Sequence, residues 1–395
     1  MKCRALMTTA GGFSLINPAL ISAFKAEMPE NEWVFFEAVN DVLCGRPLLR
    51  AAATLVALAR FPGVILGSRI PPRDVMPRLP FFQRELTRAL APASGGCRFT
   101  FQTQSLFDAS VRGMPHFLYT DHTFLSNRRY DPPRKTWPSS AAWRQMELAL
   151  YGKCHVCFTT SRFAADSLVE DYGIDPQCVQ VVGSGCNIDL PEGLPARDRD
   201  PRRIVFVGVE WARKGGPMLL DALRIVRKTF PDATLDVVGY GLGATDPGVR
   251  CHGRIPKKNV GQHLLDADIF CLPSFAEPSA GALVEASGFA LPVVATRVGG
   301  TPERVREGET GILVEPGDVQ ALADALLKLM RDPALARRMG LAGRQLVLEE
   351  FTWAATARRI AARISDELKG IDIQQMTWPQ KGSLLFLCIL ASFCG

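Results

Sequence analysis

Two carboxylates and a basic pair are the side chains best spaced for chemistry in this chain. Glu277 and Glu285 stand with seven residues between them within residues 270–302, FCLPSFAEPSAGALVEASGFALPVVATRVGGTP. The stretch reads as strand, loop, helix, strand, loop. Pro273 closes the first apolar run, Glu277 lies in the loop, and residues 280–289 form an apolar helix with Glu285 inside it. A carboxylate in an apolar helix must find a partner or be very costly. This spacing lets both carboxylates face one cleft at the carboxyl end of a strand, where open α/β sheets bind ligands. The helix N-terminus between them, at Ser279, Ala280 and Gly281, offers free N–H groups to an anion. Upstream, Arg213 and Lys214 close the loop GVEWARKGG, residues 208–216, just ahead of a helix over 217–229 with Pro217 in its first turn. Cationic side chains converging on a helix N-terminus make a site for a diphosphate. A solvated basic loop and two purely structural glutamates are the plain alternatives.

At these residues the chain resembles the retaining, nucleotide-sugar-dependent glycosyltransferases of the large group called family 4, or group 1. Their hallmark is Glu, seven residues, Glu, here Glu277 and Glu285, and residues 290–318 follow the family's wording closely. The resemblance covers roughly residues 115–368. It implies a GT-B fold, α/β, with two Rossmann-like domains facing across a cleft and a C-terminal helix crossing back to the first. It implies transfer of a sugar from a nucleoside diphosphate sugar to an acceptor hydroxyl, glycan or lipid-linked, with retention of anomeric configuration. It gives Glu277 the donor hexose hydroxyls, Glu285 the ribose hydroxyls, and Lys214 and Arg213 the departing diphosphate. The family commonly has Gly-Arg, four residues, then Lys-Gly. Gly208, Lys214 and Gly215 match, but Val209 stands where the Arg is expected, so Arg213 is taken to supply that charge. The commoner Glu-Pro-Phe-Gly is here Glu277-Pro278-Ser279-Ala280, with the glycine displaced to Gly281. No cofactor or metal is expected. An epimerase of the same fold and a non-catalytic nucleotide-sugar binder are the rivals.

The first half contributes one candidate. Residues 117–120 read as a strand delivering Asp121-His122 into a loop. A histidine there can hydrogen-bond a sugar hydroxyl, and His122 matches the family's donor-sugar histidine; Asp121 is its rival. After a strand at 235–238 comes GYGLGA, residues 239–244. This fits a dinucleotide fingerprint, but Asp246-Pro247-Gly248 breaks the helix that fingerprint needs. Gly239 and Gly241 are therefore read as a tight loop beside a nucleotide. Cys154 and Cys157 form a lone C-x-x-C, and in a strand over 154–159 they would point to opposite faces, against a metal site.

Composition bounds the rest. A chain of 395 residues with 47% hydrophobic and 22% charged residues is long for one core and ordinary for a globular protein. Eleven cysteines, odd and scattered, suit a reducing compartment. With no apolar leader run, a cytoplasmic location is expected, peripheral at the membrane's inner face as the variant. The basic, aromatic stretch 125–140, with Arg128, Arg129, Tyr130, Arg134, Lys135 and Trp137, reads as a solvated loop or a lipid-facing one; no nucleic-acid signature accompanies it. Residues 48–66 are apolar, but Arg50, Arg60 and Pro62 interrupt them, so they read as a helix followed by a strand at 63–67. The organisation expected is an acceptor-side domain at 1–190, a donor-binding domain at 204–350, a crossover helix at 351–369 and a tail of no assigned role at 370–395. The polar, proline-bearing run 187–203 separates the domains.

Overall fold

The computed structural model describes residues 3–9, 16–62, 65–66, 72–130, 141–194, 200–241 and 246–369. The glycine turn at 11–12, most of the basic stretch at 131–140 and the tail lie outside the described residues.

Among the described residues, twelve strands form two six-stranded parallel sheets. The first holds β1 (Cys3–Thr9), β2 (Asn31–Glu37), β3 (Cys97–Thr103), β4 (His116–Thr120), β5 (Val156–Thr159) and β6 (Val179–Val181), in the order β2-β1-β3-β4-β5-β6. The second holds β7 (Arg203–Val207), β8 (Thr234–Val238), β9 (Val249–Cys251), β10 (Ile269–Leu272), β11 (Val293–Thr296) and β12 (Gly311–Val314), in the order β12-β11-β10-β7-β8-β9. Parallel strands covered by helices on both faces read as continuous apolar runs, as IFCL in β10 and VVAT in β11 do. Ile204, Phe206, Leu235, Val237, Phe270 and Val294 are fully or almost fully buried at the centre of the second core.

The last helix, Trp353–Lys369, joins the core of the first sheet. Trp353, Ala357, Ile360 and Ile364 pack with Met7, Leu20 and Phe24. Its apolar spacing of three and four residues supplies that face. Gly185 permits the crossing, because a Cβ there would lie 2.4 Å from the Trp353 nitrogen.

Two local expectations are corrected. Of the strand expected at 63–67 only 65–66 are described, and they are helical: Ile65 donates its N–H to the Phe61 carbonyl (3.0 Å), just beyond the helix Pro47–Arg60. Apolar composition alone does not distinguish the two. Cys154 precedes β5 rather than lying in it. Its thiol donates to the Leu150 carbonyl, and it shares one apolar cluster with Cys157, so the opposite-face argument fails. The helix Pro80–Ala93 and the short strands β9 and β12 were not anticipated.

Candidate functional site

In the second sheet the chain runs outward from β7 to β8 and β9, then returns to the other side of β7 with β10. The direction reverses between β7 and β10, and a crevice opens at such a point outside the carboxyl ends of the strands. The two loops flanking it are 208–215 after β7 and 273–280 after β10. They carry the basic pair and Glu277.

Glycine lets these loops meet. Gly215 has φ +74°, and a Cβ on it would lie 1.8 Å from the Pro273 carbonyl oxygen. The neighbouring Phe275 donates its N–H to the Arg213 carbonyl (2.8 Å). A Cβ on Gly208 would strike Lys214 Cδ at 2.3 Å, and one on Gly239 would strike the Gly208 carbonyl oxygen at 2.7 Å. So Gly239 leaves room for Gly208, and Gly208 for the stem of Lys214. Gly241 has open space around it, and residues 242–245 lie outside the described residues.

The outcome is a buried charge cluster. Lys214 Nζ donates to Glu277 Oε2 at 3.0 Å, Arg213 Nη1 lies 3.6 Å from the same oxygen, and Ser274 Oγ donates to it at 3.3 Å. Burial pushes the Glu277 carboxyl up, but Lys214 and Arg213 outweigh it and hold the group below the ordinary range. Arg213 is also held by Glu210 (2.5 Å) and by the Ala276 carbonyl, which leaves Lys214 the less engaged cation. Glu285 is buried in the helix Gly281–Gly288 and pairs with Lys257 at 2.6 Å. Here burial wins over Lys257 and the more distant Lys214, and the carboxyl is pushed up. Lys257 was missed. It sits in a polar turn far upstream in sequence, and nothing local marks it as the partner of Glu285.

Two helices begin at the crevice without a side-chain cap. The helix Gly216–Val226 starts after Gly215, and the helix Gly281–Gly288 starts after Ala280. Their first N–H groups make both ends attractive to anions. Ala280 takes φ +51°, left-handed backbone that a residue with Cβ adopts at a cost. Ser279 precedes it in the same loop.

The first sheet supplies the facing wall. Ser161, the N-cap of the helix Arg162–Glu170, donates its hydroxyl to the Pro278 carbonyl (2.9 Å), next to Glu277. Arg162 donates its N–H to Glu303 (2.6 Å). The buried Arg304 guanidinium donates to the Thr160 carbonyl (2.8 Å) and to Ser184 (3.2 Å). Tyr130 lies against the second half: a Cβ on Gly299 would come within 3.2 Å of its hydroxyl, and it adds to the field on Arg213. Neither Tyr130, read only as part of a basic, aromatic stretch, nor Ser161 was expected at this crevice. His122 follows β4 as expected. Its Nε2 lies 2.6 Å from Asn127 Nδ2, and its carbonyl accepts from the Thr120 hydroxyl (2.8 Å), so these partners belong to its own loop. Its neighbour Asp121 accepts through its carbonyl from the Thr160 hydroxyl (3.4 Å). Of the basic stretch, Arg129 is held by Glu170 and Asp171, at 2.9 and 2.8 Å. Among the described residues, no group of three or more His, Cys, Asp or Glu is arranged to hold a metal ion, and no helix is long and apolar enough to cross a membrane.

Comparison with known proteins agrees with this layout. Residues 201–332 match the family model described as glycosyl transferases group 1. A GDP-mannose-dependent alpha-(1-6)-phosphatidylinositol monomannoside mannosyltransferase of Mycolicibacterium smegmatis is 37% identical over 172 residues, which are 39% of this chain and 45% of that one. A D-inositol 3-phosphate glycosyltransferase of Corynebacterium glutamicum is 29% identical over 289 residues, 66% of this chain and 69% of that one. The chain thus spans less than half of the first relative's length. Among solved structures, the sucrose-phosphate synthase of Thermosynechococcus elongatus superposes with a TM-score of 0.68 at 18% identity, over 93% of this chain and 100% of that one. The Anabaena HepE protein, crystallised with UDP-glucose, superposes with 0.64 at 16% identity, over 92% and 99%. The second half is thus similar to the group 1 glycosyltransferases, and the two-sheet architecture is the GT-B fold.

Proposed function

We propose that this protein transfers a sugar from a nucleoside diphosphate sugar to an acceptor hydroxyl, with retention of anomeric configuration. The observation that carries the reading is the convergence of Lys214 and Arg213 on Glu277 at the crevice between β7 and β10, beside two uncapped helix N-termini. When the glycosidic bond breaks, negative charge grows on the departing diphosphate. Fixed cations and helix N-termini aimed there lower the barrier, because they need no reorganisation as the charge develops.

Each residue then has a role. Lys214, with Arg213 behind it, neutralises the diphosphate. Glu277, kept ionised by both, accepts hydrogen bonds from the sugar hydroxyls and holds the sugar for departure. Glu285 accepts from the ribose hydroxyls once the nucleotide draws Lys257 aside or bonds beside it. Gly208, Gly239 and Gly241 keep the nucleotide side free of side chains, and the N–H groups following Ser279, Ala280 and Gly281 face the phosphate. His122 reaches the sugar from the first domain, 1–190, which takes the acceptor, while 204–350 takes the donor. With these cations supplying the charge, no metal is required.

The test is a donor panel that includes GDP-mannose and UDP-glucose, with and without glycan or lipid extracts, following free nucleoside diphosphate. Acceptor-dependent release with an axial-to-axial product by NMR supports the reading. Sugar conversion without acceptor, or saturable binding without turnover, overturns it.

A further inference from the structure

We propose that Asn127 is a positioning residue that fixes the tautomer of His122: it donates to Nε2, so the ring carries its single proton on Nδ1 and serves as a neutral hydrogen-bond donor. What this does for catalysis rests on the sugar-binding role given above to His122. Asn127 lies in the short 3-10 helix Leu125–Arg129, five residues after His122, and is almost wholly buried. Its Nδ2 lies 2.6 Å from His122 Nε2, 3.1 Å from the Phe124 carbonyl oxygen and 3.4 Å from the Thr123 carbonyl oxygen. An amide nitrogen has two N–H donors, and an amide oxygen only accepts. One N–H therefore goes to the imidazole, and the other is shared by the two carbonyls. Turned over, the amide would set its oxygen against both carbonyl oxygens, and the carbonyls would lose their shared donor. The orientation holds although Oδ1 is left buried without a hydrogen-bond partner among the described residues. An unsatisfied buried acceptor is costly, and its retention here goes with the bond that the other end of the amide makes to His122.

A donor at this distance requires an acceptor opposite it, and Nε2 accepts only when it is unprotonated. An Nε2–H, in the other tautomer or in the imidazolium, would face the amide N–H head on. The two carbonyls that orient the amide are themselves held in place. Buried Glu147, on the helix Ala141–Tyr151, accepts the Phe124 N–H (3.3 Å to each oxygen) and the hydroxyls of Ser105 (2.9 Å), Tyr151 (3.1 Å) and Tyr172. The Tyr172 hydroxyl accepts the Leu125 N–H (3.3 Å), and the Thr123 hydroxyl is bonded to that of Ser167 (2.7 Å). These anchors come from outside the loop, so the loop does not readily rearrange to suit the other tautomer. A sugar hydroxyl at this ring meets an N–H donor that brings no positive charge. The Nε2 lone pair is already taken by Asn127, so His122 does not act as a base through that nitrogen.

The test is long-range 1H–15N NMR on the full chain labelled at histidine, with His122 assigned by the signals missing in His122→Gln. Wild type is expected to show a protonated Nδ1 and an unprotonated Nε2. Asn127→Asp sets a carboxylate against Nε2 and is expected to put a proton there, and Asn127→Ala is expected to give a mixture of tautomers. Both variants are expected to lower kcat per folded molecule by about tenfold or more, with affinity for free nucleoside diphosphate nearly unchanged. A packing role alone would lower Tm in both variants and leave kcat per folded molecule as in wild type, which overturns the proposal. A wild-type ring protonated on Nε2 overturns it too, as does Asn127→Asp with its proton on Nδ1 alone. Should Asn127→Asp not fold, the wild-type spectrum and Asn127→Ala decide. The spectrum needs no turnover: Nδ1–H in a chain that transfers no sugar upholds the tautomer and overturns only the sugar-transfer reading.

Discussion

Gly215 and the Pro273 carbonyl touch so closely that the loops after β7 and β10 interlock, a Cβ on Gly215 reaching to 1.8 Å of that oxygen. Arg213 and Lys214 meet Glu277 through this contact. Gly215→Ala must force the loops apart and also hold alanine at φ +74°. Strain and overpacking together cost about 2–4 kcal/mol. Thermal melting is expected to drop by several degrees, and turnover of the remaining folded protein to fall more than tenfold. A variant with normal turnover would show that the loops need not interlock.

Lys214→Ala is expected to lose most turnover, by about 2–4 kcal/mol in the barrier, and Arg213→Ala a smaller share, because Arg213 is already engaged by Glu210. Steady-state kinetics on both variants checks the order. Normal turnover in both would end the diphosphate assignment.

The pH profile follows from the same pair. Burial raises the Glu277 carboxyl, Lys214 and Arg213 lower it further, and its net value lies below the ordinary one. Its contribution to stability is therefore present above the ordinary carboxylate range and lost as pH falls through its lowered value. Removing Lys214 takes away the largest influence that lowers it. In Lys214→Ala the acid limb of kcat/KM and the acid-side loss of Tm should both move to higher pH; an unmoved limb would detach Glu277 from this control.

Glu277 and Glu285 should separate when each is changed to glutamine. Glu285 is raised by burial, so its contribution to stability is present below the ordinary range and lost as pH rises through its raised value. At neutral pH Glu285→Gln removes a costly charge, and Lys257, 37% exposed, can return to water. Its ligand-free Tm is expected to hold, while nucleoside diphosphate affinity falls by about 1.5–3 kcal/mol. Glu277→Gln leaves Lys214 buried without its counter-charge, so Tm falls and transfer slows, with nucleotide affinity nearly unchanged. Calorimetry beside melting curves measures both, and the opposite pattern would exchange the two roles.

Ala280→Gly relieves left-handed backbone at the start of the helix Gly281–Gly288. A gain of about 1 kcal/mol is expected, read as a Tm higher by roughly 2–4 °C. A lower Tm would mean that the alanine methyl packs to more effect than its φ costs.

The sequence by itself determined the class of the fold, most of its strands and the residues of the crevice. Buried parallel strands must be apolar throughout, and Glu277, Glu285, Lys214 and the glycines around them lie in two short local motifs. It also located the last helix, whose apolar face has the period of one that must be covered. Only the tertiary structure decided the partners. Lys257 reaches Glu285 across 28 residues and Ser161 reaches Pro278 across 117, because the sheet topology brings their loops to one place and local spacing does not record it. The same holds for apolar runs. Residues 48–66 have the composition of a helix and a strand alike, and which side of the helix Pro47–Arg60 meets the core was settled by what the first sheet packs against it.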